Sequence, residues 1–404
     1  MKKIFKYVSL SLPLILGINL YGAKNEVKIA SDMTGDFLMA PLYFAKGDIC
    51  SNIKVMNTNE YSSILAKVTI RESIASHEVD LPILLSPGDI WSGNICQVKG
   101  KVILKSNDDS NHPSALGTLM GGIDLFKHSS ITSYRENDYR KGYVELNGKS
   151  FKLEEIQKEN LDFTSGYIEI YPIAQFNEHS KRKVKKSILV DRWNRLVEKD
   201  ISNPKLRKYG VDNDSLSGLV SFNTEGQETA SIPMIAFENV HSKQILGEAI
   251  NYTSESDPSI LIGKTNKTKI LKLLQNSDLS FAYDNSGEDQ YLHVAFPFGY
   301  KEKQSRRYKV IIRDMNENKH TMVFSPKYIM YNELACISVE ELVKITNNKK
   351  KFKQGMIQIT DITNNDTVQL GKDKSASLIP TISRISKIGN KDIFINIINL
   401  PAKN

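Results

Sequence analysis

The sequence predicts a mainly β protein, made of antiparallel β-sandwich (immunoglobulin-like) domains with a few inserted short helices. Three observations support this fold class. Apolar residues alternate along many short segments, turn residues separate these segments at close spacing, and few stretches follow a helical period. The composition is that of a chain with packed cores, since 40% of its residues are hydrophobic and 25% are charged.

Residues 1–23 are predicted to be a secretory signal peptide. A basic start and an apolar run precede a pair of small residues: Lys2, Lys3 and Lys6, then residues 7–21, then Gly22-Ala23. The run is too short for a membrane span and lacks a stop-transfer flank. We therefore expect an exported protein of the periplasm, the cell surface or the extracellular space.

The charge of the chain favours anionic partners only mildly. The formal net charge of +8 includes the three lysines of the predicted signal, which contains no acidic residue, so the mature chain carries +5. This excess suits contact with anionic envelope polymers and gives no reason to expect nucleic acid. No second apolar stretch of about 18 residues occurs, so we expect no transmembrane helix after signal cleavage.

Residues 36–96 have the clearest strand pattern. Two segments each place four apolar residues on one face, namely Ile64, Ala66, Val68 and Ile70, then Val79, Leu81, Ile83 and Leu85. Such alternation is typical of strands with one buried face. Pro82 predicts an edge strand or a bulge, because proline cannot donate to a strand ladder. After a turn at residues 86–89, we expect Trp91 to anchor the core rather than to form a recognition patch with Asp89.

The rest of the chain continues this pattern with two helical interruptions. Asn147-Gly148 predicts a hairpin after residues 143–146, and residues 180–200 predict an amphipathic helix. The apolar face of that helix carries Leu189, Trp193, Leu196 and Val197. A second helical segment is predicted at 267–275. Further strands are predicted at residues 166–171, 219–222, 232–237, 291–296, 308–313, 356–360, 378–383 and 393–400.

The change of period divides the mature chain into three predicted parts. These are an N-terminal β-sandwich domain at residues 24–175, a basic helical insertion or linker at 176–204, and a C-terminal β-rich domain at 205–404. Edge strands, together with the extended segment at 24–33, offer a route to self-association by strand addition.

Cys50 and Cys96 bracket one continuous set of strand segments and are the predicted disulfide pair. Three reduced core cysteines are the alternative. Closing the loop between the pair would stabilise the fold by about 4 kcal/mol on the chain-entropy estimate. Cys336 would then be a lone thiol, and no cysteine has the spacing of a zinc site.

Three motifs stand out in the first half: Gly35-Asp36-x-Leu38-x-x-Pro41, Asn57-Thr58, and Leu85-Ser86-Pro87-x-Asp89-x-Trp91. Together they resemble a family of exported bacterial cell-envelope proteins without an assigned activity. Residues 66–72 and 76–80 belong to the same specific match, which covers residues 35–97, and weaker similarity continues at residues 106–110, 166–169, 324–326 and 378–380. The resemblance implies an envelope location and an immunoglobulin-like β-sandwich, and it implies no catalytic or cofactor-binding residues. The basic region at 181–200 departs from the family pattern.

His77, Glu78 and Asp80 come closest to an acid–base cluster. On a strand, Glu78 and Asp80 share a face whereas His77 points away, so we interpret them as the polar face of a half-exposed strand. The chain contains no GxSxG, P-loop, GxGxxG or HExxH motif. Because a catalytic triad can assemble from distant positions, a secreted hydrolase acting on envelope polymers is the alternative function.

Three loops rich in oxygen ligands are candidates for weak calcium binding, and calcium is the one cofactor we consider. They lie at residues 107–110, 212–215 and 284–289, with Asp108, Asp109, Asp284 and Asp289 as candidate ligands. The same residue types are common in turns for local reasons, which is the simpler interpretation.

Two basic runs, at residues 181–186 and 349–353, are candidates for binding lipid phosphates or acidic polysaccharides. The first run supplies the anion-binding candidates Lys181, Arg182, Lys183, Lys185 and Lys186. A solvated helix face and a charged loop are the simpler interpretation.

Our leading hypothesis is a non-enzymatic envelope protein that acts by binding or assembly, with envelope proteins or anionic envelope polymers as partners. A polysaccharide-binding module is a further alternative.

Overall fold

The computed structural model describes residues 26–73, 78–112, 119–128, 143–146, 149–152, 163–178, 184–198, 214–224, 226–240, 262–273, 279–284, 289–295, 308–324, 335–338, 343, 354–361, 379–388 and 391–399. Antiparallel strands dominate these residues and the helices are short, so the predicted mainly β, antiparallel fold is confirmed.

The strands of the first half are β1 (Lys28–Ile29), β2 (Phe37–Phe44), β3 (Ile49–Asn57), β4 (Ser62–Glu72), β5 (Glu78–Leu85), β6 (Ile90–Val98), β7 (Lys101–Lys105), β8 (Ile123–Asp124), β9 (Tyr143–Leu146), β10 (Lys149–Lys152) and β11 (Ser165–Asn177). Three more follow, β12 (Leu216–Thr224), β13 (Gln227–Pro233) and β14 (Ile235–Glu238). The helices are α1 (Leu125–His128), α2 (Lys186–Glu198) and α3 (Gly263–Leu273).

Two six-stranded sheets form the sandwich. The first sheet has the order β1-β14-β2-β11-β4-β5, and the second has the order β13-β12-β3-β6-β7-β8. Their facing sides share one hydrophobic core, to which the first sheet contributes Ile64 and Val68 and the second contributes Ile53 and Trp91. The alternating apolar residues that the sequence predicted to be buried therefore do form the core.

The two sheets differ in what covers their outer faces. In β3 and β7 of the second sheet, buried residues alternate with exposed or half-buried ones, as expected for a sheet with one face in solvent. In β4 and β5 of the first sheet every residue is buried. Because α2 contacts both β4 and β5, it supplies part of this cover.

Pro82 lies on an edge strand, as predicted, since β5 ends the first sheet. The outer side of β5 is occupied, because the Leu84 N–H donates to the Ser110 carbonyl at 2.7 Å and the Pro82 carbonyl accepts from the His112 N–H at 3.2 Å. The proline nitrogen faces this same outer side, where it interrupts no bond to β4. This edge is therefore closed by the chain's own loop.

The predicted boundary at residue 205 does not follow the sheets. β12 pairs with β3 along its whole length, from Leu216 opposite Asn57 to Thr224 opposite Ile49, and β14 pairs with β2. The first sandwich thus extends beyond α2, and α2 is an insertion within it. The local period carried no information about which strands pair. The single strand predicted at 232–237 is also wrong, since β13 ends at Pro233 in the second sheet and β14 begins at Ile235 in the first.

The N-terminal segment folds onto its own chain. Lys28 and Ile29 of β1 lie opposite Glu238 and Phe237 of β14, and the Lys28 ammonium is 2.7 Å from the Glu238 carboxylate. The backbone groups that a donated strand would use are here paired within the molecule. This arrangement is unfavourable to the strand donation suggested for residues 24–33.

Two four-stranded sheets lie in the second half. Their strands are β15 (Leu279–Asp284), β16 (Asp289–Ala295), β17 (Tyr308–Asp314), β18 (Lys319–Phe324), β19 (Ala335–Ser338), β20 (Gln354–Asp361), β21 (Ile379–Ile388) and β22 (Lys391–Asn399). The third sheet has the order β15-β20-β17-β18, and the fourth has the order β19-β16-β21-β22. Strands predicted at 291–296, 308–313, 356–360, 378–383 and 393–400 all lie within these sheets to within one residue.

Two further predictions concern local structure. β9 and β10 form the hairpin expected around Asn147-Gly148, with Lys149 opposite Leu146. Among the helices that the structure describes, none combines the length and apolar character needed to traverse a bilayer. The predicted signal peptide lies outside the described residues.

Candidate functional site

The outer face of the first sheet carries a buried set of ionisable side chains, which we call the charged layer: Lys67, Arg71, Glu78, Asp80 and Glu169. The strand register brings them together, since Arg71 lies opposite Glu78 of β5, and Thr69 lies opposite both Asp80 of β5 and Glu169 of β11. Period-two alternation places all of these side chains on the face turned away from the sandwich core.

Lys67 and Asp80 form one pair within the charged layer. Their side chains have no exposed surface, and the Lys67 Nζ is 3.1 Å from the Asp80 carboxylate. The Thr69 hydroxyl also donates to Asp80, at 2.7 Å. A charge in the interior is tolerated only when it is paired and hydrogen-bonded, as it is here.

Arg71 lies between two carboxylates. It forms ion pairs with Glu78 and with Glu169, and its Nε donates to the Glu169 Oε2 at 2.7 Å. The Tyr171 hydroxyl donates to the same oxygen at 2.7 Å. Burial opposes the charge of the guanidinium, but the attraction of Glu78 and Glu169 outweighs it and raises the pKa of Arg71 above its ordinary value.

The prediction of a half-exposed polar strand for Glu78 and Asp80 was wrong, because both residues are buried. They do share a face, as predicted, while His77 lies outside the described residues. Each carboxylate is engaged by a cation of the neighbouring strand β4, and the charged layer is closed to solvent. A substrate could reach these carboxylates only if the part of the chain that covers the outer face of β4 and β5, including α2, moved away.

A second polar cluster, which we call the helix latch, joins α2 to the sandwich. Lys186 ends in an ammonium group that donates to the Leu84 carbonyl at 2.8 Å, to the Ser110 hydroxyl at 2.8 Å and to the Asp89 carboxylate. All three protons of the ammonium are therefore used. Asp89 also accepts from the backbone N–H and the hydroxyl of Ser86, at 3.1 and 2.9 Å.

The latch changes the titration of Asp89. Burial alone would raise the pKa of this carboxyl, but the hydrogen bond and charge of Lys186, together with Ser86, lower it below its ordinary value. The carboxylate therefore holds α2 most firmly when it is ionised.

Further along, α2 is fixed by packing and by a second ion pair. Leu189, Trp193 and Leu196 are buried, in agreement with the predicted apolar face. Arg192 pairs with Glu178 and lies 4.7 Å from the centre of the Phe176 ring. The Trp193 ring is 5.7 Å from that of His112, and burial lowers the pKa of His112 to about 4, against the opposing effect of a hydrogen bond that its imidazole donates to Asn194.

The motif residues of the first half stabilise turns and the core. Trp91 is fully buried, as predicted, and its Nε1 donates to the Asn111 Oδ1 at 2.7 Å. The Asn57 amide donates to the carbonyls of Ser62 and Ser86, at 2.7 and 3.0 Å. These contacts give Trp91 and Asn57 a structural role, which accounts for both residue types without a catalytic function.

The candidate calcium loops have different outcomes. Asp108 accepts from the backbone N–H groups of Ser92 and Ser110, at 3.0 and 2.8 Å, and thereby forms a turn. Asp109 is exposed and lies 3.8 Å from the Lys186 ammonium. Asp284 ends β15 and Asp289 begins β16, and the residues between them lie outside the described part. No group of three or more metal-ligating side chains occurs among the described residues.

The basic run at 181–186 is divided by the fold. Lys185 is exposed, whereas Lys186 points into the helix latch and is unsuited to binding an external anion. Lys181, Arg182 and Lys183 lie outside the described residues, as do residues 349–353.

Cys50 and Cys96 are joined by a disulfide, with their Cα atoms 4.5 Å apart on the neighbouring strands β3 and β6. Cys336 lies in β19 opposite His293 of β16, in a different sheet.

Sequence reasoning missed Lys67, Arg71 and Glu169. The signal for the first two was complementary charge, because Lys67 and Arg71 alternate on one strand as Glu78 and Asp80 do on the next. Pairing Glu169 with Arg71 required knowledge that β11 lies beside β4. No protein-family model, curated protein or solved structure matches this chain.

Proposed function

We propose that the mature protein is exported to the cell envelope, on its periplasmic or outer side, and acts there by binding or assembly rather than by catalysis. The observation that carries this proposal is how the ionisable groups of the first half are used. The carboxylates that were candidates for acid–base chemistry are buried in pairs with Lys67 and Arg71.

Two features support export. The first is the amino-acid pattern of residues 1–23, and the second is the disulfide between Cys50 and Cys96, a bond that persists in oxidising compartments. The immunoglobulin-like relationship implied by the family resemblance stays a prediction.

Solvent-facing sheet surfaces support action by binding. On the outer face of the second sheet, Asn52 donates to Asn94 at 2.8 Å across β3 and β6, with Lys54 exposed beside them. The same face exposes the apolar side chains of Met56 and Ile90. A weakly basic face with both polar and apolar groups suits contact with envelope proteins or anionic envelope polymers.

The experiment is cell fractionation of an epitope-tagged chain, combined with crosslinking and mass spectrometry. We expect a mature form that begins near residue 24, carries the disulfide, and crosslinks to envelope components. A full-length, reduced protein in the cytosol would refute export. Turnover of an envelope polymer that a single polar substitution abolishes would replace binding with the hydrolase alternative.

A further inference from the structure

The outer face of the third sheet is exposed, basic and partly apolar. Its residues alternate with a buried set that packs on the other side: Val310, Ile312, Ile357 and Ile359. The strand register places the intervening residues on one surface, with Val323 opposite Lys309, Thr321 opposite Ile311, and Lys319 opposite Arg313. We call this surface the basic face and define it by Lys309, Ile311, Arg313, Lys319, Val323 and Met356.

The cations of the basic face have no ion-pair partner among the residues that the structure describes. Within the part of the chain that the structure describes, Lys309, Arg313 and Lys319 form no ion pair. The acidic residue that follows Arg313 in sequence, Asp314, is buried. Its carboxylate accepts from the backbone N–H groups of Asn316 and Asn318, at 2.9 and 2.7 Å, so it stabilises the turn. The strand register places one acidic residue, Asp284 opposite Gln354, on the same surface as Met356.

Apolar side chains lie among these cations. Val323 is 55% exposed and Met356 is 39% exposed, although Ile357 and Ile359 on the strand of Met356 are buried. At the end of the β17–β18 hairpin, Met315 is 74% exposed. The turn also carries Glu317, which is exposed beyond the edge of the face.

We propose that the basic face is a docking site for a bilayer surface that contains anionic phospholipid. Lys309, Arg313 and Lys319 complement lipid phosphates, each contributing by an attraction that falls off within a Debye length. The exposed aliphatic and thioether side chains can enter the boundary between headgroups and acyl chains, as the apolar faces of interfacial proteins do. This combination favours a lipid surface over an acidic polysaccharide, which would use the cations but gain little from Val323 or Met315.

The inference rests on the proposed function in one respect only, because the envelope location is what would bring the protein to a membrane. The contact itself is tested with purified mature protein, so failure to bind lipid would leave export untouched.

The experiment is cosedimentation with vesicles of phosphatidylglycerol and phosphatidylcholine, compared with pure phosphatidylcholine, over a series of salt concentrations. We expect binding to the anionic vesicles that weakens as salt rises. A variant with Lys309→Gln, Arg313→Gln and Lys319→Gln should bind about a hundredfold more weakly, since each surface cation contributes about fivefold. Equal binding to both vesicle types, or unchanged binding of this variant, would overturn the proposal.

The matched control removes three exposed cations that lie outside both sheet faces, by Lys46→Gln, Lys99→Gln and Arg195→Gln. This variant has the same net charge as the first and should bind like wild type. Equal weakening of both variants would mean that net charge alone governs binding, and the docking site would be rejected.

A third variant separates lipid from acidic polymer. Val323→Ser with Met315→Ser keeps every charge and should weaken vesicle binding several-fold. If this variant binds vesicles like wild type, and soluble alginate competes for the basic face, the partner is an acidic polysaccharide and the lipid assignment is wrong. Every substituted position is exposed except Arg313, which is half-buried, so circular dichroism and melting temperature should stay close to wild type.

Discussion

Arg71 lies between Glu78 and Glu169 in the interior, where solvent cannot compensate for a lost partner. Removal of a buried cation leaves its carboxylates unpaired, which costs more than the pair itself contributes to stability. The charged layer therefore constrains the register of β4, β5 and β11, because a shift in register would leave buried charges without their partners.

The prediction at this site is that Arg71→Met lowers the free energy of unfolding by about 3–5 kcal/mol. Urea denaturation at neutral pH measures the change. Arg195→Met is the control, since Arg195 is exposed on α2, and it should change stability by less than about 0.5 kcal/mol. A loss below about 1 kcal/mol for Arg71→Met would contradict the structural role of the layer.

His112 makes stability depend on pH in a defined direction. Burial lowers its pKa to about 4 in the folded protein, whereas the unfolded chain has the ordinary value of about 6.5. The unfolded state therefore binds the proton more tightly, and the contribution of neutral His112 is complete above about pH 6.5 and lost as the pH falls toward 4.

We expect wild type to lose about 1–3 kcal/mol more than a His112→Gln variant between pH 7 and pH 4. Urea denaturation of both proteins across this range gives the difference between their free energies of unfolding. The contributions of the remaining carboxyls are common to both proteins and cancel in that difference. Parallel stability curves for the two proteins would show that His112 is not held neutral by the packing of α2.

At the scale of elements, the helix latch determines where α2 lies. Lys186 uses its three protons on Leu84, Asp89 and Ser110, so its charge belongs to the interior side of the helix. Lys185, one residue earlier, is exposed. Of these two adjacent lysines, Lys186 therefore makes an internal contact and Lys185 carries a solvated charge.

Replacing Lys186 by Met should lower the free energy of unfolding by about 1–3 kcal/mol, because Asp89 and Ser110 then lose their shared donor. Lys185→Met is the matched control and should have little effect. Near-ultraviolet circular dichroism reports on the packing of Trp193 in the same samples. Equal stability of the two variants would mean that apolar contacts alone fix α2.

Elements could be predicted from the sequence because their patterns are local. The alternation in β4 and β5 and the helical period of α2 depend on neighbouring residues. Both strands were identified to within two residues, whereas α2 begins at Lys186, six residues after the predicted start. Burial of β4 on both faces could not be predicted, since Lys67 and Arg71 have the composition of a solvated face. The charged layer forms because β11, nearly a hundred residues later, lies beside β4, and no local pattern specifies that pairing.

At the scale of the molecule, the first sandwich is completed by strands that follow α2. A fragment of residues 24–204 lacks β12 and β14, which leaves β3 and β2 each without a neighbouring strand. We expect that fragment to be unfolded or aggregated, because it loses the partners of two central strands.

A fragment of residues 24–278 retains β12, β14 and α3, whose Ile270 joins the same core. It should unfold cooperatively, as a complete sandwich does. Circular dichroism and thermal melting of both fragments provide the comparison. Cooperative folding of residues 24–204 would restore the domain boundary that the sequence suggested.

The central claim is that the buried charges stabilise the fold whereas exposed sheet faces make the protein's contacts. Binding of purified mature protein to isolated cell envelopes, measured by cosedimentation, tests this claim most directly. The account predicts that the variant lacking Lys309, Arg313 and Lys319 binds far more weakly than wild type, and that folded Glu169→Gln binds as wild type does. Envelope binding that depends on Glu169 and is indifferent to those three cations would contradict it.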